Sequence, residues 1–541
     1  MNENNKKKLT HWADQTAEKI IRTRGDLDIY TCASGITPSG TVHIGNFREI
    51  ISVDLVVRAL RARGKKVRFI YSWDDYDVFR KVPKNMPKQD LLKSYLRFPI
   101  TMVPDVTDRD KSYARHNEVD VESTLPAVGI FPEYLYQADR YRKNLYAEGI
   151  KIALDKREKI KECLNYYRDD SHKMKADEEY WPTAVFCSKC HKDTTEMVSY
   201  DGEYGLTYKC SDCGNEETID IRTSPDVKLG WRVDWPMRWK AENTIFEPAG
   251  KDHHSQGGSF DTAKLVAKDV YGVEPPETFQ YDFIGLKGLP GKMSSSSGNV
   301  INLEQVLKVY QPEVVRYMFA GTRPNTEFNI SFDLDVIKTY EDYDKMERIV
   351  FGEQKAKNEN VFEKQKRIWE LSQVSENKEE MPSVISYQIP FRHMCNLLQA
   401  NSGDIEAVIA ELKDIKQEQL DRFKTRCKCA WYWITECAPE EFKFQLQDPN
   451  SPDFKKAEIT NEGLACIKKL YTEVIPHMDE VDEKTFNTSL YSVAEDCGVE
   501  SKQLFTMCYR ILVAKEKGPR LANFMKLIGR QKLSALFEKY I

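Results

Sequence analysis

Apolar and polar residues near the start of the chain follow a pattern that predicts three consecutive elements. Residues 31–35 (TCASG) are apolar or small and fit the end of a buried strand. From 47 to 60, apolar residues recur at helical spacing, and Gly64 suits the end of that helix. Residues 67–73 (VRFIYSW) are β-branched and aromatic and predict the next strand. The pattern therefore predicts a strand–turn–helix–strand unit.

Later stretches differ in pattern, and the differences set domain boundaries. A Pro-rich loop near residue 100 is followed by polar helical stretches, including a helix predicted over 143–170. α/β character returns near residue 224, and VINLEQVLKVY, residues 300–310, predicts a strand end running into a helix. From about 331 the pattern is almost wholly helical. These changes divide the chain into 1–96, 97–223, 224–330, 331–383 and 384–541.

Composition narrows the class of protein. The chain of 541 residues is too long for one hydrophobic core, so three or more structural units are expected. Mean hydropathy is −0.59, and no run approaches the roughly 20 apolar residues of a membrane span. The N-terminus lacks the apolar core of a secretory signal, so we expect a cytoplasmic protein with no membrane partner. The net charge of −5 does not by itself indicate a nucleic-acid partner.

Four of the thirteen cysteines form a metal-type pattern. Cys187 and Cys190 are separated by two residues, and so are Cys210 and Cys213. Two such turns can direct four thiolates at one ion, which is the donor set of structural tetrahedral Zn²⁺. We expect zinc to hold together a small ribbon at about residues 181–223 without taking part in catalysis. A disulfide or unused thiol pairs are the alternatives.

Two short motifs carry the candidate chemistry, and the first is GITPSGTVHIGN, residues 35–46. It falls at the predicted strand–turn–helix junction. A helix N-terminus offers free N–H groups and the positive end of its dipole to a phosphate. Gly45 allows backbone or a flat base to approach closely. The alternative is an ordinary turn in which His43 is incidental.

The second motif, GKMSSSSGN at residues 291–299, is small and polar and carries one cation, Lys292. It reads either as a Ser/Gly linker or as a mobile loop that places Lys292 on a transferring nucleotide. The helical pattern that follows favours the loop. An oriented donor on developing phosphate charge is worth about 3–4 kcal/mol, so a catalytic role is expected.

In this order, the two motifs resemble the HIGH and KMSKS signatures of class I aminoacyl-tRNA synthetases, and here they read HIGN and KMSSS. Longer strings narrow the resemblance to the class I lysyl-tRNA synthetase family, from about residue 10 to the C-terminus. Those strings are ASGITPSGTVHIGNFRE, YSWDDYDVFRKVP, GWRVDWPMRWK, EPAGKDHHSQGGSFD and FIGLKGLPGKMSSSSGN.

The resemblance implies a fold and a reaction. The fold is an α/β Rossmann-type catalytic domain in two halves, 1–96 and 224–330, with a zinc-ribbon-bearing insertion at 97–223. A stem at 331–383 and an all-α anticodon-binding region at 384–541 follow. Lysine attacks the α-phosphate of ATP to give lysyl-adenylate, and the lysyl group then passes to the 3′ end of tRNA-Lys.

The resemblance also implies partners and a dependence on tRNA. ATP and L-lysine are substrates, Mg²⁺ neutralises the triphosphate, and tRNA-Lys is the macromolecular partner. The related glutamyl-type enzymes activate their amino acid only with tRNA bound, and the same is expected here. A monomer is expected.

Site residues are carried over from the matching motifs. His43 and Lys292 are implied to be catalytic, with His43 on the ATP phosphates and Lys292 on the departing pyrophosphate. Gly45, Asn46 and Ser295 are implied to complete the ATP site. Asn46 and Ser295 depart from the family-wide pattern, and the second departure puts the strength of loop closure in doubt.

The implied lysine pocket comprises Gly35, Thr37, Trp231, His253 and Tyr281. Its aromatic faces suit an ammonium ion, because the ring quadrupole attracts a cation. Several points stay open from the residues alone: whether Trp231 instead joins a helix core, whether a neighbouring His faces the substrate, and which acid supplies a countercharge. The residues concerned are Trp235, Trp239, His254, Asp252, Asp74, Asp75 and Asp77.

Three other functions remain open. A class I synthetase for another amino acid, such as glutamate, would need an Arg-bearing pocket. A tRNA-binding paralogue without activity is disfavoured by His43, Gly45 and Lys292. A nucleotidyltransferase that does not use tRNA would leave the helical C-terminal region unexplained. The aromatic stretch 431–437 (WYWITEC) either stacks bases or belongs to a helix core.

Overall fold

The computed structural model describes residues 10–84, 86–288, 293 and 300–541. They form two compact units. Unit 1 runs to Leu307 and also takes in Pro312–Ile330 and Lys355–Met381. Unit 2 comprises Lys308–Gln311, Ser331–Gln354 and Pro382–Ile541. The predicted stem is therefore divided between the two units, and the predicted domain boundaries stay predictions.

Helices account for most of the regular structure. In chain order they are α1 Trp12–Arg24, α2 Ile44–Arg61, α3 Gln89–Ser94, α4 Tyr113–Thr124, α5 Gln137–Arg142, α6 Ala147–Asp155, α7 Arg157–Asn165, α8 Trp231–Glu242, α9 Ser259–Asp269, α10 Leu303–Val309, α11 Pro312–Ala320, α12 Asp335–Val350, α13 Glu359–Ser372, α14 Phe391–Ala400, α15 Ile405–Glu411, α16 Leu420–Tyr432, α17 Asn461–Lys469, α18 Glu483–Asp496, α19 Ser501–Val513, α20 Leu521–Ile528 and α21 Arg530–Glu538. No helix among the described residues is long and apolar enough to cross a membrane.

The strands are short, and all of them precede residue 331. They are β1 Tyr30–Ile36, β2 Val67–Trp73, β3 Glu133–Tyr136, β4 Thr183–Val185, β5 Thr195–Tyr200, β6 Gly205–Cys210, β7 Glu216–Asp220, β8 Val227–Leu229, β9 Thr244–Phe246, β10 Ala249–Gly250, β11 Gln280–Tyr281, β12 Ile284–Leu286 and β13 Phe328–Ile330. An α/β region followed by a helical one agrees with the predicted fold class.

Four parallel strands form the central sheet of unit 1, in the order β3–β2–β1–β9. β1 pairs with β2 from Tyr30 opposite Val67 to Ile36 opposite Trp73. β2 and β3 lie on one side of β1, whereas β9, which follows the insertion, lies on the other. The strand order therefore reverses at β1. Open α/β sheets bind ligands beside the carboxyl end of the strand where this happens.

The predicted N-terminal elements are confirmed as β1, α2 and β2, with α2 starting three residues earlier than the apolar pattern. The helical pattern predicted over 143–170 is confirmed for 147–155 and 157–165. Two helices stand there, α6 and α7, and Lys156 between them has φ near −106°, outside the helical range. The strand end predicted at residues 300–302 is also not found, although helix α10 follows from Leu303.

The insertion contains the predicted ribbon region as a three-stranded antiparallel sheet, β5–β6–β7. β4 and β8 form a separate antiparallel pair on either side of it in sequence. Tyr208 on β6 is fully buried, and its hydroxyl donates to Glu217. The ribbon is therefore small but has a packed interior of its own.

All the regular structure among the described residues of unit 2 from 331 onward is helical. Its buried ion pair joins Asp344 on α12 to Arg426 on α16, with N–O distances of 2.7 and 2.6 Å. Trp433 is fully buried, and its indole N–H donates to the Phe332 carbonyl at 2.8 Å. For Trp433, the helix-core interpretation of the aromatic stretch is therefore the correct one.

Candidate active site

A cavity of about 620 Å³ opens at the carboxyl end of β1, where the strand order reverses. Unit 1 supplies all of its lining. The end of β1, the first residues of α2, the first residue of α8 and the β10–β12 region contribute to the wall. Both signature regions and the predicted lysine pocket therefore face one space, as the fold requires of a ligand site.

The first signature forms the N-terminal cap of α2. The His43 ring accepts from the Gly45 N–H at 3.1 Å, and the Asn46 side-chain oxygen accepts from the His43 N–H at 3.2 Å. A Cβ at residue 45 would lie 2.8 Å from the His43 ring nitrogen, so glycine allows this cap. All three residues line the cavity. Asparagine at 46 is therefore explained locally, since its amide closes a reciprocal capping box.

The second signature lies mostly outside the described residues, and this includes Lys292 and Ser295. Met293 is described, is 4% exposed and lines the cavity. Beyond the serines, the Ile301 carbonyl accepts from the Ile44 N–H at 2.7 Å. The chain that carries the second signature therefore returns directly to the first turn of α2.

All five residues of the predicted lysine pocket line the cavity: Gly35, Thr37, Trp231, His253 and Tyr281. Their roles stay predictions. His254 does not line it, because its ring packs on Phe260 at 4.8 Å and bonds to Thr278 at 3.3 Å. Of the two neighbouring histidines, the geometry favours His253.

Three tryptophans on α8 have different environments. Trp231 begins the helix, is 37% exposed and stacks on Trp235 with centroids 4.9 Å apart. Trp235 and Trp239 are buried, and both indole N–H groups donate to Glu247 at 3.0 and 2.6 Å. Trp231 thus faces the cavity, and the other two belong to the core. Because the Arg238 guanidinium already lies 5.6 Å from the Trp231 ring centroid, the case for a substrate cation on that ring is weaker.

The acidic residues after β2 are engaged in specific contacts and do not form a solvated strand end. Asp74 is 8% exposed and pairs with Arg238 at 2.5 Å. Asp75 is 4% exposed and accepts from a backbone N–H. Asp77 pairs with Lys228 and accepts from the Thr37 hydroxyl at 2.8 Å. Asp74 and Asp77 therefore shape the cavity wall, and Asp77 fixes the position of Thr37.

Glu49 on α2 is a partly buried acid in the cavity wall, and its described hydrogen-bond partners are neutral. Its Oε1 accepts from the Gly35 N–H at 2.9 Å, and its Oε2 accepts from the Tyr281 hydroxyl. Burial raises the pKa of Glu49 to about 8, although these two hydrogen bonds lower it. In contrast, the lining carboxylates Asp74 and Asp77 each pair with a cation. A cavity wall of this kind is suited to a ligand that brings a positive charge.

A comparison with family profiles finds a match to the description "tRNA synthetases class I (K)" over residues 10–375. The lysine–tRNA ligase of Treponema pallidum is 57% identical, over 98% of this chain and 99% of that protein. The chain belongs to this class I synthetase family. It is therefore an aminoacyl-tRNA synthetase, and the cavity at the sheet switch point is its candidate active site.

More distant relatives of this synthetase are also named lysine–tRNA ligase. The lysine–tRNA ligase of Borreliella burgdorferi is 51% identical, over 99% of this chain and all (100%) of that protein. That of Pyrococcus horikoshii is 40% identical, over 96% and 98%. Among solved structures, a glutamate tRNA ligase from Elizabethkingia meningosepticum covers 94% of this chain and 99% of its own, at 13% identity and a TM-score of 0.41. That likeness is too weak to add to the family match.

Sequence reasoning about this synthetase missed Glu49 and Lys228. Glu49 stands three residues after Asn46, so helical spacing from the HIGN motif was a signal that could have found it. No local signal could have found Lys228, because its pairing with Asp77 spans 151 residues.

The four cysteines of the ribbon come together as their spacing predicts. The sulfurs of Cys187 and Cys213 are 3.5 Å apart, and so are those of Cys190 and Cys210. All four Sγ atoms lie within 4.8 Å of one another. A tetrahedral zinc with Zn–S bonds of about 2.3 Å places its sulfurs about 3.8 Å apart, so the cluster has the right size.

Proposed function

We propose that this synthetase activates L-lysine with ATP in the unit 1 cavity and transfers it to tRNA-Lys. The α-carboxylate of lysine attacks the α-phosphate of ATP, and pyrophosphate leaves. The 3′-terminal ribose hydroxyl of tRNA-Lys then attacks the lysyl carbonyl, and AMP leaves. The similar proteins named as lysine–tRNA ligases support this choice of amino acid.

The environment of Glu49 is the structural observation that supports lysine as the substrate. In this proposal its carboxylate binds the side-chain ammonium of lysine, and Tyr281 and Gly35 hold the carboxylate in place. A charge pair of this kind forms in a desolvated wall, where it is worth more than at a surface. Glutamate has no side-chain cation that could ionise Glu49 and pair with it, so the same wall favours lysine over the main alternative.

The nucleotide side of the proposal uses the first turn of α2. The positive end of its helix dipole suits phosphate, and His43 stands at that terminus. Gly45 and Asn46 complete the wall, and the proposed contacts of Lys292 and Ser295 come from the second signature. Mg²⁺ accompanies the triphosphate in this proposal. His43 and Lys292 are the residues proposed to stabilise the transition state.

Exchange of pyrophosphate into ATP tests the proposal. Twenty amino acids are compared, each with and without tRNA-Lys transcript. We expect lysine to support exchange at least 100-fold faster than the other amino acids, with tRNA required. Faster exchange with glutamate or another amino acid contradicts the assignment of substrate, and no exchange with any amino acid supports the tRNA-binding paralogue.

Zinc is proposed for the four-cysteine cluster, with a structural role. Four thiolates leave no open coordination position, and the cluster lies on the ribbon, whose cysteines do not line the cavity. Metal analysis should give one zinc per chain, and Cys210→Ala/Cys213→Ala should lose it. Cys437→Ala, which removes a partly buried thiol outside the cluster, is the matched control and should keep the zinc. Stoichiometric zinc in the double variant contradicts the site.

The remaining predictions are also part of the proposal. The enzyme is proposed to act in the cytoplasm as a monomer, and to bind the tRNA anticodon through its helical C-terminal region. Light scattering on the purified protein tests whether it is a monomer. Footprinting of the tRNA in the complex tests whether the helical C-terminal region binds the anticodon.

A further inference from the structure

Two cations among the described residues line the cavity, and they differ in their partners. Lys228 is 12% exposed at its side chain and pairs with Asp77. Arg80 is exposed, and no carboxylate of the described residues lies within ion-pairing distance of it. Nearby Asp193 is engaged by Arg97 at 2.7 Å. The Asp193 carboxylate interacts more strongly with Arg97 than with Arg80, so Arg80 presents a weakly compensated positive charge where the cavity meets solvent.

Two more cations follow Arg80 on the same segment. Lys81 and Lys84 are exposed, and neither has an ion-pair partner among the described carboxylates. Buried Phe79 and Pro83 anchor the segment from its inner side. The backbone of Phe79 also bonds to Phe98 and Arg97, at 2.8 and 2.9 Å. The cations thus stand on the outer side of a segment that is held in place before any ligand binds.

We propose that Arg80, Lys81 and Lys84 bind the phosphodiester backbone at the 3′ end of the tRNA and guide its terminal ribose into the cavity. This rests on the proposed function, which requires that end to reach the cavity. Arg80 lines the cavity, whereas Lys81 and Lys84, one and four positions later on the same segment, are exposed outside it. These three residues are called the cationic strip. A strand that enters from solvent would meet all three.

The triphosphate of ATP is the other source of phosphate, and the layout of the cations favours RNA. The proposed ATP site lies at the α2 N-terminus, whose residues His43, Gly45 and Asn46 line the cavity. A nucleotide seated there has no reason to contact residues outside the cavity. A single strand, in contrast, places one phosphate on each nucleotide and can span such a strip.

Binding of tRNA-Lys and of a transcript that lacks its last four nucleotides tests the proposal, with wild type, Arg80→Gln and Lys81→Gln/Lys84→Gln compared. For the full transcript we expect Kd to rise about three- to tenfold in each variant. The slope of log Kd against log salt should fall by about 0.7 for each phosphate that the variant no longer neutralises. For the shortened transcript, wild type and variants should bind alike.

Lys88→Gln is the matched control, because Lys88 is also exposed but already pairs with Asp108 at 3.2 Å. It should leave the Kd of both transcripts unchanged. ATP binding without tRNA is measured in parallel. Loss of ATP affinity in Arg80→Gln with unchanged tRNA binding overturns the proposal, and so do equal losses for both transcripts. A different preferred amino acid would defeat the proposed function but leave these binding results unaffected.

Discussion

Two acids on α2, the partly buried Glu49 and the buried Asp54, stand five residues apart and have opposite surroundings. Asp54 accepts from the Arg316 guanidinium at 2.7 Å and from Arg58 at 3.0 Å, and all three side chains are almost fully buried. Glu49 lies in the cavity wall, and its described partners are a backbone N–H and a phenol. The same helix therefore carries one acid whose charge is compensated by the protein and one whose charge is not.

The difference separates a structural acid from a binding acid. Arg316 and Arg58 also donate to the carbonyls of Val128, Gly129, Leu371, Gln373 and Val374. Asp54 is thus the centre of a network that holds distant segments of unit 1 on α2. Glu49 holds together little beyond the cavity wall itself. The pKa of Glu49 is raised because its site is desolvated and no cation among its described neighbours stabilises the ionised carboxylate. The proposed substrate brings such a cation.

The largest expected effect is on stability, in Asp54→Asn. This change leaves two guanidiniums buried without their countercharge, and breaking one side of a buried ion pair costs about 3–5 kcal/mol. The midpoint of urea unfolding should therefore fall clearly. Asp26→Asn is the matched control: it breaks the exposed pair with Lys65, and pairs of that kind contribute little to stability. Equal midpoints for the two variants would refute the structural role of Asp54.

The second effect is on substrate binding, in Glu49→Gln. The amide keeps the shape and can still accept from Gly35, so the fold should persist. Losing the charge opposite the substrate ammonium should raise KM for lysine at least 100-fold, which is about 3 kcal/mol. The folded fraction of the Asp54→Asn variant should show the wild-type KM for lysine. The distinction between a binding acid and a structural acid is contradicted if Glu49→Gln binds lysine normally. It is also contradicted if the urea midpoint of Glu49→Gln falls as far as that of Asp54→Asn.

The third effect is a pH dependence that only the binding acid should show. Because the pKa of Glu49 is near 8, most of its carboxyl is protonated at pH 6–7, and lysine must displace that proton. KM for lysine should fall as pH rises from 6 to 8, by close to tenfold for the first unit. Calorimetry at pH 7 in buffers of different ionisation enthalpy should show nearly one proton released per lysine bound.

The raised pKa of Glu49 also predicts how stability depends on pH. Lysine binding should improve as pH rises, whereas the stability of the empty enzyme should decrease. The unfolded Glu49 titrates near its ordinary value and the folded one near 8, so the folded state binds more protons between these values. The contribution of Glu49 to the stability of the empty enzyme therefore falls as pH rises through that window. Glu49→Gln should flatten this part of the profile, and an unchanged profile would contradict the assigned pKa.

Local patterns predicted much of the molecule, because they depend on neighbours in sequence. Helical spacing predicted α2, the apolar runs predicted β1 and β2, and C-x2-C spacing predicted the cysteine cluster. The sequence left open whether Trp231 joins a helix core. It could not show that α8 begins at Trp231, which is what exposes that ring to the cavity.

The two acids of α2 show what such patterns omit. The partner of Glu49, Tyr281, lies 232 residues away, and the partner of Asp54, Arg316, lies 262 residues away. Both acids fall within the one helix predicted over 47–60, and nothing in its apolar spacing distinguishes them. Which acid receives a cation is decided by the strands and helices that pack on α2, and these are known only from the fold.

The smallest expected effect is in Tyr281→Phe, which removes one neutral donor from Glu49 and leaves the ring in the cavity wall. A net hydrogen bond is worth about 1 kcal/mol, so KM for lysine should rise about fivefold, far less than in Glu49→Gln. Because the missing bond stabilised the ionised carboxylate, the pKa of Glu49 should rise further. The fall of KM with pH should then extend above pH 8. If Tyr281 instead bound lysine directly, KM would rise by the same factor at every pH, and the profile would keep its wild-type position.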